Sequence, residues 1–127
     1  DALDAYHEAF EPSPFCDEPY AGIGLVVLAA ETDAEADRLA APIKAWALSR
    51  GAGQLMPYLS TEEALSYLEQ SPLEAPQRGI VGSAQSVAQR LAETAGETRA
   101  SEIFMLTITD HVDTRIESYK LIADAML

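Results

Sequence analysis

Residues 82–127 read GSAQSVAQRLAETAGETRASEIFMLTITDHVDTRIESYKLIADAML, and this stretch decides the fold. Ser83 caps a helix expected over residues 84–96, with Val87, Leu91 and Ala95 on its inner stripe. Residues 101–109 follow as a strand that is apolar on both faces. A closing helix is expected over 111–126, with Val112, Ile116, Tyr119, Ala123 and Met126 inward at helical spacing. Strands apolar on both faces belong to parallel sheets covered by helices on either side. Thr109, Asp110 and His111 fall at the strand's C-terminal end, where barrel enzymes place their chemistry.

Upstream, residues 20–30 (YAGIGLVVLAA) form the other strong strand signal, uncharged and rich in Ile, Leu and Val. Gly22 and Gly24 share one face of it and imply close approach of another backbone or a bend. Thr32 with Glu35 fits a capping box, opening a helix that runs to about Arg50-Gly51 and is kinked or split by Pro42. Residues 51–78 read as an excursion: a loop, then a capped helix over 61–70 with Leu65 and Leu68 inward. A short extended piece is expected over 78–81, and residues 1–10 resemble a helix end stopped by Pro12 and Pro14. Two strong strands joined by helices make a βαβ unit. Left alone they would expose apolar edges, so either other chains or a longer polypeptide must supply their neighbours.

Composition narrows the function. The 127 residues carry 8 Lys and Arg against 21 Asp and Glu, a formal charge of −13, which argues against nucleic acid or an anionic membrane as partner. No apolar run approaches the roughly 18 residues of a membrane span, and no segment reads as a secretory signal. Cys16 is the single cysteine, so an internal disulfide is impossible and a cytoplasmic location is expected. Zinc spacing, a P-loop, a catalytic triad and the GxGxxG fingerprint are all missing from the sequence.

Two segments resemble the bacterial-luciferase-like flavin monooxygenases. One carries Tyr6, Phe10, Pro12, Ser13, Pro19 and Tyr20, then Thr32, Asp33, Glu35 and Ala36 after the first strand. The other carries Gly82, Ser83, Asp110, His111, Arg115, Ser118, Tyr119, Leu121 and Ala123. The resemblance implies a single α/β segment over 1–127, the C-terminal part of a (β/α)₈ TIM barrel. It would hold the last two parallel strands and their helices and be incomplete as a barrel on its own. It also implies a parent enzyme that uses reduced FMN and O₂ to oxidise a small organic substrate, as a homo-oligomer. The isolated segment is then expected to be inactive and to bind no cofactor. The rival expectation is a truncated, non-catalytic relative that works by self-association or subunit pairing.

Site residues have paired readings. Asp110 and His111 sit where a barrel would present a proton donor or hydrogen-bond partner, yet Asp110 is equally a good N-cap for the last helix. Thr107 and Thr109 share a strand face and either line a substrate pocket or fill the interior. Gly82 and Ser83 either cradle the cofactor phosphate at a helix start or simply cap that helix. No metal site is expected.

Overall fold

The computed structural model describes residues 2–77 and 79–127. Asp1 and Arg78, the expected first residues of the opening helix and of the short extended piece, lie outside the described residues. The elements are α1 (Ala2–Ala9), β1 (Gly22–Ala30), α2 (Asp33–Leu39), α3 (Ala41–Gly51), α4 (Thr61–Gln70), β2 (Ile80–Ser83), α5 (Ala84–Thr98), β3 (Glu102–Leu106) and α6 (Val112–Met126).

Local chemistry sets most of these boundaries. The Thr32 hydroxyl accepts from the Glu35 amide and starts α2. Pro42 falls at the N-terminal turn of α3, so the expected long helix divides at Ala40. Ser60 and Glu63 form a reciprocal capping box for α4, one residue earlier than the Thr61 start implies. Within α4 the covered residues are Thr61 and Ala64, with Tyr67 and Leu68 packed beside Ala64. Leu65, expected inward, is exposed.

The sheet is parallel throughout, in the order β2-β1-β3. This corrects the expectation of two barrel strands in two ways. The short Ile80–Ser83 piece is a true strand, in register with Val27–Ala30. Moreover β2 and β3, consecutive in sequence, are not neighbours but flank β1. A (β/α)₈ barrel is wound from successive βα units around a closed ring, whereas here the chain turns back across its first strand. The fold is a small open α/β sheet, not part of a TIM barrel.

Helices cover the sheet on both sides. Leu28 packs with Ala40 and Ile43 under α2 and α3, while Val27, Ala29 and Ile80 pack with Val87, Leu91 and Ile122 under α5 and α6. The two crossovers travel in opposite directions along the sheet, so one hand of crossover puts their helices on opposite faces, as the right-handed rule requires. Coverage is uneven. β1 is fully covered from Val27 to Ala30, but every residue of β3 except Ile103 is exposed. The covered face of α6 is Ser118, Leu121 and Ile122; the stripe of Val112, Ile116, Tyr119, Ala123 and Met126 is exposed, contrary to its periodicity, although the Tyr119 hydroxyl accepts from the Thr107 amide at 3.3 Å. The neighbour of Gly22 is a side chain and not the expected backbone: a Cβ there would stand 2.6 Å from the Phe104 ring, while a Cβ on Gly24 would meet nothing within 4 Å.

Candidate functional site: a crevice at the carboxyl end of the sheet

The β1–β3 ladder ends at Val26 opposite Leu106. Beyond it, side chains take over the backbone groups of β1. The Thr107 hydroxyl donates to the Val27 carbonyl at 2.6 Å, and the Ala29 amide donates to the Ser118 hydroxyl at 2.9 Å. Both side chains are buried, so the two strands part without orphaning polar groups. The gap becomes a crevice of about 640 Å³ between α2 and α6, floored by Ala29 and Ala30. Open α/β sheets bind ligands in this place, outside the carboxyl ends where the strand order reverses.

The crevice walls are acidic: Glu31 and Glu35 on one side, Asp113 and Glu117 on the other. Arg38 stands among them, but its guanidinium is bidentate to Glu35 at 2.8 and 2.9 Å. A smaller cavity of about 370 Å³ adjoins through Arg38, Leu39 and Thr114, and is closed by Thr61, Asp110 and His111.

Asp110 does not cap α6. The N-cap there is His111, which makes no side-chain capping bond. One carboxylate oxygen of Asp110 instead accepts from the Thr61 amide at 2.7 Å and the Thr61 hydroxyl at 2.9 Å, at the N-terminus of α4. Burial pushes the Asp110 carboxyl up, but the Thr61 amide and hydroxyl, joined by His111, outweigh it and hold the group below its ordinary 3.8. The exposed His111 imidazole lies 4.0 Å from the same oxygen. Nearby, the Tyr58 hydroxyl donates to the Ile108 carbonyl at 3.2 Å, and burial, with the Asp110 charge second, pushes this phenol up to about 12.

The other expected site residues have local partners. The Thr109 hydroxyl donates to the His111 carbonyl at 2.7 Å, and Thr107 serves the sheet rather than a pocket. Ser83 caps α5 by accepting from the Ser86 amide. The Ser83 amide donates to Asp33 at 2.6 Å, and a Cβ on Gly82 would stand 2.9 Å from that carboxylate. An internal anion therefore fills the place offered to a phosphate. The Ser83 amide, then its hydroxyl, hold Asp33 below its ordinary value.

FMN, the cofactor implied by the resemblance, brings a phosphate dianion. The described residues do not fit that group: the crevice presents four carboxylates and one arginine already paired, and the start of α5 is taken. Among the described residues no cluster of His, Cys, Asp and Glu could hold a metal ion, and no helix is long and apolar enough to cross a membrane.

Sequence reading did not find the long-range contacts of Thr61, Tyr58, Asp33 and Ser118, which hold this end of the molecule together. Their partners lie 49, 50, 50 and 89 residues away. Only the capped helix expected from Thr61 hinted at an ordered helix start in the excursion.

Fold and crevice together define an open α/β domain with a ligand-sized cleft at its carboxyl edge. No protein-family model matches the chain. The structure superposes on that described as apo-MsnO8 with a TM-score of 0.87 at 30% identity, over 98% of this chain and 40% of that one. Two Bacillus subtilis proteins, both described as uncharacterized, are also similar. YwcH is 30% identical over 126 residues and YvbT 33% identical over 129. The chain spans 38% of the length of each. These matches overturn the reading of the chain as the C-terminal portion of a luciferase-like monooxygenase, because what they match over nearly its whole length is a small α/β domain with its own three-stranded sheet.

Proposed function

We propose that this domain serves in the flavin-dependent oxidation of a small organic substrate and supplies one wall of the substrate site. The observation that carries the reading is the crevice where β1 and β3 part, with an alanine floor and polar rim. Ala29, Ala30, Leu39 and Leu121 give an apolar substrate body somewhere to lie. The acids at the rim favour a neutral or cationic group and repel an anionic one. The phosphate of FMN is held by residues outside these 127, and the chain alone turns over no substrate. The test compares O₂ uptake with reduced FMN and a small organic substrate in the protein as its cell makes it and in the 127-residue chain. Uptake dependent on both reactants in the first and none in the second is expected. No flavin-dependent uptake in either sinks the reading.

A second reading, association through β3 with another copy or another subunit, is favoured by one observation. Phe104 and Leu106 are 62% and 54% exposed on a strand whose outer edge has no partner among the described residues. Sedimentation distinguishes it: a dimer that dissociates in Leu106→Lys supports pairing, and a monomer at every concentration rules out self-association.

A further inference from the structure

Among the described residues the buried polar side chains are Ser49, Thr61, Thr107 and Ser118. A hydroxyl carries a proton to give as well as lone pairs to fill, and burial makes an unused proton costly. Ser49 donates its proton to the Trp46 carbonyl, Thr61 to Asp110 and Thr107 to the Val27 carbonyl. Ser118 differs from these. Its oxygen accepts from the Ala29 amide at 2.9 Å, but no described residue takes its proton. The usual outlet for a helical hydroxyl is the carbonyl one turn back. Thr94 and Thr98 use that outlet in α5, and Ser118 does not use it in α6.

Ser118 is 1% exposed and lines the main crevice together with Ala29 and Ala30. The Ala29 bond fixes the oxygen, so the proton is offered at the crevice floor rather than to the sheet. We propose that Ser118 is a ligand-binding residue whose hydroxyl donates to the carbonyl oxygen of an uncharged, mainly apolar ligand in the crevice. Carboxylates and phosphates would suit the same donor, but the acids at the rim repel them. Ala29, Ala30 and Leu121 meet the apolar body. The inference rests on the crevice being a ligand site, as proposed above, and not on any flavin chemistry.

Titrating the protein with cyclohexanone, and with methylenecyclohexane as the same shape lacking the oxygen, tests this by NMR shifts at the Ala29, Ala30 and Leu121 amides. The parent should bind the ketone about threefold to tenfold more tightly, the scale of a neutral hydrogen bond. Ser118→Ala also removes the Ala29 acceptor, so the readout is the ratio of the two Kd values. A change in floor shape moves both probes alike, whereas loss of the donor abolishes the preference for the ketone. Equal affinities in the parent, or an undiminished preference in Ser118→Ala, overturn the assignment and leave the crevice a ligand site. Absence of shifts with either probe overturns the crevice reading along with it. Should Ser118→Ala fail to fold, Ser118→Cys decides: this weaker donor must show a reduced preference for the ketone.

Discussion

β1 and β3 are neighbours, run parallel and are written in the same aliphatic alphabet, yet they live in different surroundings. GIGLVVLAA is the central strand, paired on both edges and covered on both faces over its last four residues. EIFML is an edge strand whose Phe104, Met105 and Leu106 are all exposed. Apolar content thus reports that a strand can be buried, while strand order and helix placement decide whether it is. The contrast also locates the crevice, because the two strands separate just where β1 becomes fully covered.

The largest expected effect comes from cutting into β1. Leu28→Ala should cost about 2–5 kcal/mol in denaturant unfolding, because Leu28 is 3% exposed and packs between α2 and α3. A loss below about 1 kcal/mol would mean that the helical layer over this face is loose.

Next is the junction that brings β2 to β1. Gly79 has φ of 78°, and a Cβ there would stand 2.1 Å from the Val26 carbonyl oxygen. Gly79→Ala should therefore cost at least about 2 kcal/mol and raise exchange at Ile80 and Val81 first. Unchanged stability would show that β2 contributes little to the sheet.

Asp110→Asn should lower stability at neutral pH by about 1–2 kcal/mol. The sign of its pH dependence follows from a folded pKa held below 3.8. Stability from this group is fully present above the unfolded value and is lost as pH falls through the folded one. The gap between parent and variant should then close in acid, as read from urea midpoints across pH. A gap independent of pH would break the link to the Thr61 bonds.

The smallest effect belongs to β3. Leu106→Lys should change folding stability by less than about 0.5 kcal/mol, since the side chain is already 54% exposed. A large loss of stability would mean that β3 is covered in solution and would erase the contrast with β1.

Much of this was legible in residues that act on their own neighbours. Thr32, Pro42 and Ser83 set helix boundaries within three or four positions of themselves, and the apolar run of β1 needed only composition to be seen. The inner stripe Val87 and Leu91 followed from period alone. β2 read only as a short extended piece over 78–81, because four residues, two of them Gly and Ser, carry almost no strand signal until β1 lies beside them. α6 misled for a related reason. Its more apolar stripe points outward, and Ile122 with the small polar Ser118 fills the covered face because that hydroxyl is needed by the Ala29 amide.

The sequence by itself determined the α/β character, the helix starts, the acidic surface and the carboxyl-end cluster of Thr109, Asp110 and His111, since each depends on local chemistry or composition. Tertiary structure alone decided that β1 lies between β2 and β3, that Asp33 occupies the start of α5, and that Asp110 serves α4 rather than α6. Those outcomes turn on groups about 50 residues or more apart in the chain, and no local pattern encodes which distant donor a carboxylate will meet.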